Sequence, residues 1–126
     1  MRQIVLNSIR TPDGTVLTSH YMHDFISHVD ANGDTYINDG GCSYLRRSSN
    51  TIPAEDLTVY ADDDFELVRV SAERGGRGIN GNDPLTWVKI CDMNDAWLEA
   101  VLDYGGTEWH LDIIRKEIEY RKNGKS

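Results

Sequence analysis

Asp30-Ala31-Asn32-Gly33-Asp34, running straight into Thr35-Tyr36-Ile37-Asn38, is the stretch from which the fold is read. Asn-Gly tolerates the positive φ angles of a tight hairpin turn, and the β-branched and aromatic residues after it suit a pleated, half-buried surface. The segment predicts a hairpin whose outgoing strand is 35–38, closed by Asp39-Gly40-Gly41. Its incoming strand is read as one long strand from Thr15 to Val29, with Val16, Phe25 and Val29 among polar residues. Upstream, Thr11-Pro12-Asp13-Gly14 is a second turn, since proline presets φ and Asp-Gly accepts the tight geometry. Gln3 to Thr11 supplies the strand before it. Together the first forty or so residues predict an antiparallel meander.

The same Asp30 segment opens like a calcium loop, with oxygen ligands at Asp30, Asn32 and Asp34. Thr35 stands where that loop needs its glycine, and Gly41 stands where the bidentate glutamate belongs, so the hairpin reading prevails.

Beyond the meander, Ser43-Tyr44-Leu45-Arg46-Arg47 leads into a polar loop through Pro53, and Asp56 to Ala61 reads as a short strand. Asp62-Asp63-Asp64 ahead of Phe65, Leu67, Val68 and Val70 favours a helix start, by capping and by the positive end of the helix dipole. That helix is expected to fade into Glu73-Arg74-Gly75-Gly76-Arg77-Gly78-Ile79-Asn80-Gly81-Asn82-Asp83-Pro84, where four glycines weigh against both helix and strand. Leu85 to Cys91 is a strand. Asn94 caps the next helix, with Met93 and Leu98 at the staple positions and Trp97, Leu98, Val101 and Leu102 as its apolar stripe. Gly105-Gly106 ends it, and Thr107 caps a last helix striped by Leu111, Ile114 and Ile118. The expected architecture is α+β, an N-terminal antiparallel β-meander with C-terminal helices packed on it. It is one domain, 1–126: β-rich 1–61, a short helix and Gly/Arg loop 62–84, a strand 85–91 and two helices 94–123.

A formal net charge of −8 argues against general nucleic-acid binding, which needs a basic face. No apolar run approaches the roughly 18–20 residues of a bilayer span, and Met1 to Asn7 is too short and polar for a secretory signal. The expectation is a cytosolic protein whose two cysteines, Cys42 and Cys91, are reduced and unpaired.

Inside this acidic chain the arginines are placed for binding. Arg46 and Arg47 follow a double glycine, Arg74 and Arg77 flank one, and Arg115 and Arg121 lie on the last helix. A glycine-rich loop offers backbone N–H groups and, here, two guanidinium groups to an anion such as a phosphate; the plainer reading is a connector. Trp87 and Phe65 could stack on a base, and Asn80 and Asn82 could read base edges; the plainer reading of both aromatics is core. For Arg121 the plainer reading is a surface pair with Glu117. His20, His23 and His28 cannot converge on one metal from a single strand, because His23 takes the opposite face. With His110 remote, no metal or cofactor is expected. Neither a nucleophile elbow nor a Walker-type phosphate loop is present.

The succession Ile9-Arg10-Thr11-Pro12-Asp13-Gly14-Thr15, His23-Asp24, Asp30-Ala31-Asn32-Gly33, Tyr36, Asp39-Gly40-Gly41 and Tyr44-Leu45-Arg46-Arg47, with Gly78 to Pro84 and Leu85-Thr86-Trp87-Val88, resembles a known pattern. It is similar to the first family of anti-Thoeris proteins, the phage-encoded nucleotide sponges that defeat TIR-domain bacterial immunity. The resemblance implies a non-enzymatic viral anti-defence protein of the host cytoplasm. Such a protein captures cyclic ADP-ribose isomers made by TIR enzymes and, in some members, cyclic trinucleotides. It also implies a homo-oligomer with the ligand between protomers. The Glu73–Gly78 segment departs from the family pattern in being richer in glycine and arginine. The competing expectations are an acidic inhibitor or decoy resting on Asp62-Asp63-Asp64, and a phosphodiesterase resting on His20, His23, Asp24 and His28.

Overall fold

The computed structural model describes residues 2–77 and 81–124. Packing divides the chain into two compact units, Met1–Asp63 and Asp64–Ser126. The fold class is α+β, antiparallel strands first and helices after them.

The first unit holds seven strands: β1 Ile4–Arg10, β2 Val16–Ser19, β3 Ile26–Val29, β4 Thr35–Asp39, β5 Arg46–Arg47, β6 Glu55–Asp56 and β7 Val59–Tyr60. They divide into two antiparallel sheets. In one, β1 is flanked by β2 on one side and by β6 and β7 on the other; the second runs β3-β4-β5. The long strand expected over Thr15–Val29 is two strands in different sheets. Asp24 makes the break: its carboxylate accepts from the backbone N–H of His20 at 2.8 Å, and its own N–H donates to the Tyr21 carbonyl at 3.0 Å. A side chain that captures a nearby N–H in this way gives the backbone an alternative to a ladder. Past β4, Gly40 and Gly41 both have positive φ, and a Cβ on them would strike the backbone of Tyr44 and of Tyr21 respectively.

Ile9, Leu17 and Tyr36 form one buried apolar cluster of this unit, with Ile26 and Ala54 against it. The sheets are joined by amides. Asn7 on β1 donates to the carbonyls of Asp39, Gly41 and Tyr44, at 3.0–3.1 Å. Asn38 on β4 donates to those of Asn7 and Leu17 at 3.1 and 2.9 Å. Both amides are buried, and each leaves a carbonyl oxygen needing a donor. Arg47 supplies both bonds, to Asn38 Oδ1 at 3.1 Å and to Asn7 Oδ1 at 3.0 Å. A further link joins the two hairpin turns. Asp13 accepts from the Thr11 hydroxyl and the Thr15 N–H of its own turn, and from His28 Nε2 (2.9 Å) and the Ala31 N–H (3.1 Å) of the other.

The second unit contains α1 Phe65–Ser71, β8 Glu73–Gly76, β9 Thr86–Lys89, a single 3-10 turn at Ile90–Asp92, α2 Asp95–Tyr104 and α3 Glu108–Lys122. Its helices find cover within the unit: α2 packs on α3, and α1 packs on the 3-10 turn and β9. The helix after the three aspartates begins where expected, but none of them caps it. Asp64 makes no side-chain cap bond, while Asp62 and Asp63 pair with Arg2 at 2.9 and 2.8 Å. Asn94 does cap α2, accepting from the Trp97 N–H at 2.8 Å, over a buried Met93–Leu98 staple. Thr107 occupies the cap position of α3 without a side-chain bond.

Two expectations for this unit are corrected. First, Glu73-Arg74-Gly75-Gly76 is a strand, paired antiparallel with β9 from Glu73↔Lys89 to Gly76↔Thr86. The glycines are accommodated because Trp87 and Leu85 use the space: a Cβ on Gly75 would lie 3.2 Å from each of them. Second, Glu117 and Arg121 are not a surface pair. Glu117 is completely buried and is held by Arg69 through both carboxylate oxygens (2.7 and 2.8 Å) and by Arg121 at 2.7 Å. Burial pushes this carboxyl upward, but the two guanidinium groups outweigh it and hold the group below the ordinary glutamate range. Arg69 also lies over the Tyr120 ring, 4.4 Å from its centre, and Phe65 packs against the same ring.

Glu117→Ala strands two guanidinium groups and is expected to destabilise the protein by about 3–5 kcal/mol, read from urea unfolding; a loss within measurement error refutes the assignment. Asp13 is held well below the ordinary aspartate range, first by the Thr11 hydroxyl and then by His28. A depressed carboxyl stabilises the fold above its unfolded value of about 3.9, and that stability is lost as pH falls through the folded value. Asp13→Asn is therefore expected to lower the melting temperature at neutral pH and to flatten its fall under acid; an unchanged acid limb contradicts this.

Candidate functional site

Six arginines, two asparagines and two aromatics were the sequence candidates, and the structure sorts them by what their polar groups already do. Arg47 is spent on structure: besides Asn7 and Asn38 it donates to Asp56 at 2.9 Å and to the Thr58 hydroxyl at 2.7 Å. Arg121 is spent likewise, on Glu117, on Asp95 at 2.8 Å and on the carbonyls of Ile90 and Cys91. Arg115 pairs with Glu108 at 2.8 Å on the helix surface, and Phe65 belongs to the Tyr120 cluster. Arg46 is 72% exposed and stands 3.9 Å from Asp39. Asn82 is exposed, and Asn80 lies outside the described residues.

Arg74 and Arg77 differ from these. Neither makes a side-chain hydrogen bond or ion pair with any described residue, and both belong to the arm of the β8–β9 hairpin that carries the glycines. Arg77 stands just past β8, where its carbonyl accepts from the Asp83 N–H at 2.9 Å and begins to close the loop. Alternation along β8 puts Arg74 and Gly76 on one face and Gly75 on the other. The Gly75 face is covered by Trp87 and Leu85. The Arg74 face looks toward the helices: a Cβ on Gly76 would come within 3.6 Å of the Trp97 ring of α2. The charge of Arg74 is felt by His110, in the first turn of α3.

His110, set aside in the sequence as remote, lies in the first turn of α3. The residue is 9% exposed, its ring meets Trp109 edge-on at 5.6 Å between centres, and Nε2 is buried without a hydrogen-bond partner among the described residues. Burial first, and then the positive charge of Arg74, hold it below the ordinary histidine range. Trp97 was read only as part of an apolar stripe, and nothing in its spacing marks it as a neighbour of Gly76. What the arrangement offers is a hairpin arm with two guanidinium groups, with the half-buried Trp97 ring beside the Arg74 face and the half-buried Trp87 ring on the other. It has the donors for an anion and the aromatic surface for a base.

The remaining histidines stay apart in their bonding. His28 is bound to Asp13, His20 lies 3.9 Å from Asp24, and His23 Nδ1 is 2.8 Å from the Tyr44 hydroxyl. His23 is in the left-handed region (φ 68°), and Tyr44 reaches Asp39 Oδ2 at 3.4 Å. Among the described residues no three acidic, histidine or cysteine side chains are grouped to hold a metal. The first unit has a hollow of about 310 Å³ beside Tyr36, Arg47 and Ser48. Arg47 is already engaged there, and the Tyr36 hydroxyl donates to the Ile52 carbonyl at 2.6 Å, so the hollow presents no unspent charge to an anion. Comparisons with protein-family models, curated proteins and solved structures returned no match for this chain.

The sorting has a measurable consequence. Arg47→Ala leaves two buried amide oxygens without donors, about 1–3 kcal/mol each, and should lower the unfolding midpoint accordingly. Arg74→Ala and Arg77→Ala should stay within about 0.5 kcal/mol of the parent protein. Equal losses at all three positions overturn the distinction between structural and available arginines.

Proposed function

We infer that the protein binds and sequesters a cyclic ADP-ribose-type signalling nucleotide without hydrolysing it, and so acts as a phage anti-defence protein in the host cytoplasm. The observation that carries this reading is that Arg74 and Arg77 make no ion pair with any described carboxylate in an otherwise acidic chain, on a hairpin arm whose Arg74 face looks toward the Trp97 ring. Two guanidinium groups match a pyrophosphate, because each presents a planar fork of donors to paired oxygens. An indole supplies the surface on which adenine stacks. The resemblance to the anti-Thoeris family supplies the substrate class, the prospect of cyclic trinucleotides as further ligands, and a homo-oligomer in which a second protomer completes the site.

The competing readings draw less support. Asp62 and Asp63, on which an acidic decoy would rely, are already paired with Arg2. The histidines that a phosphodiesterase would need are bound to three separate partners. No helix among the described residues is long and apolar enough to cross a membrane.

Cyclic ADP-ribose isomers in excess are expected to raise the melting temperature through linkage, and mass analysis after denaturation is expected to recover them intact. Arg74→Ala and Arg77→Ala should each weaken binding by roughly 10- to 100-fold, the range for a charge-assisted hydrogen bond. Absence of a shift with every isomer and with cyclic trinucleotides, or recovery of a hydrolysed product, removes this reading.

A further inference from the structure

Among the described residues, β8 and β9 make a sheet of two strands with no third beside them. A ribbon of two strands is marginal by itself. β9 has cover, since α1 packs against it, whereas no described element besides β9 packs closely on β8. The ladder shows which groups lie along the open edge. The Ile90 N–H donates to the Ala72 carbonyl at 2.9 Å, one position before Glu73↔Lys89. Bonded and non-bonded pairs alternate in an antiparallel ladder, so Arg74 and Gly76 are the residues of β8 that bond to β9. Glu73 and Gly75 turn their N–H and C=O groups outward. Charged side chains, proline and bulges ordinarily keep such an edge from pairing. β8 has neither proline nor bulge, and its charges are of both signs, so their order decides which strand it accepts.

That order is complementary to itself. Laid antiparallel on a second copy about Gly75, the run Glu73-Arg74-Gly75-Gly76-Arg77 sets Glu73 opposite Arg77 at both ends and Arg74 opposite Gly76 between them. No like charges meet. The two Gly75 residues face each other with outward N–H and C=O groups, so they exchange both of their bonds. Other registers fail on the same grounds. Centring on Arg74 or Gly76 calls on groups already bonded to β9, and centring on Glu73 or Arg77 sets like charges against each other. In the favoured register Glu73 stands between Lys89 of its own hairpin, at 3.7 Å, and Arg77 of the second copy.

We propose that β8 pairs with β8 of a second copy of this chain, antiparallel and centred on Gly75, joining the two hairpins into one continuous sheet. So short a seam makes a reversible association rather than an obligate one. It also changes the candidate site. On the face that looks toward Trp97, the Arg74 residues of the two copies become diagonal neighbours, roughly 7–8 Å apart. Gly76 lies directly opposite each of them and puts no side chain in the way. Two guanidinium groups so placed repel each other until an anion lies between them. A pyrophosphate, with paired oxygens on each phosphorus, offers one fork-shaped contact to each copy and thereby tightens the pair. This last consequence, unlike the pairing itself, rests on the hairpin being the anion site.

Sedimentation of the full chain over a range of concentrations is expected to show reversible self-association. Arg77→Glu sets like charges opposite each other at both ends of the seam and is expected to raise the dissociation constant by about tenfold or more. Amide hydrogen exchange locates the contact. At one protein concentration the Gly75 amide is expected to exchange at least about tenfold more slowly in the parent than in Arg77→Glu, while the Arg74 and Gly76 amides, bonded to β9, stay equally protected in both. Inorganic pyrophosphate is expected to tighten association of the parent and to leave Arg74→Ala unmoved. A chain that stays monomeric throughout, or an assembly whose Gly75 amide exchanges as fast as in Arg77→Glu, overturns the pairing. A protected Gly75 amide with no response to pyrophosphate keeps the seam and withdraws the anion from it. Nucleotide binding is read separately by the melting shift above, so the two readings fail independently.

Discussion

A buried oxygen must be given a donor, and in each unit of this protein that donor is a guanidinium. In the first unit Arg47 reaches both Asn7 and Asn38, whose amides hold one sheet to the other. In the second, Arg69 and Arg121 close on Glu117, which no water reaches. Lysine could not substitute in either place, because a single ammonium cannot present parallel donors to two acceptors in a fixed plane. Arginine content is therefore a poor guide to ligand binding in this chain. The informative quantity is the number of donors left after the interior has been satisfied, and that number is small.

The two fasteners carry different energetic burdens. Arg47 works among neutral amides, so its loss leaves unpaired dipoles and a sheet-to-sheet seam without its central donor. Glu117 is a charge taken wholly out of water, and desolvation nearly offsets what its partners return. Such a cluster contributes less to net stability than its short distances suggest, yet it penalises any arrangement in which one member is missing. It determines which faces of α1 and α3 meet, since Arg69 comes from one and Glu117 and Arg121 from the other.

The sheet-then-helix order was legible because the decisive signals are local. Thr11–Gly14 and Asp30–Asp34 make their turns with their own atoms, and Asn94 caps its helix on the N–H of Trp97, three residues on. What escaped the sequence depends on distant partners. Asp24 ends a strand by folding back on His20, and nothing in the alternation of Thr15–Val29 announces it. Gly75 can sit in a strand because Trp87, across the ladder, fills the place of its side chain. The i, i+4 spacing of Glu117 and Arg121 was visible, but the third member, Arg69, is 48 residues away and turns a surface pair into a core. The same limit applies to the candidate site. Arg74, Arg77 and Trp87 stood out by composition, whereas Trp97 joined them only through its packing beside Gly76.

The close fit between indoles and glycines in the second unit has an optical corollary. All three tryptophans of the chain, Trp87, Trp97 and Trp109, lie in Asp64–Ser126, whereas the first unit has no tryptophan and holds Tyr21, Tyr36, Tyr44 and Tyr60. Emission excited selectively at the indole band thus follows one half of the polypeptide, while tyrosine absorbance follows both, since Tyr104 and Tyr120 lie in the second unit. The molecule carries its own chromophoric division of labour, and disagreement between the two signals during unfolding would separate the halves without any label.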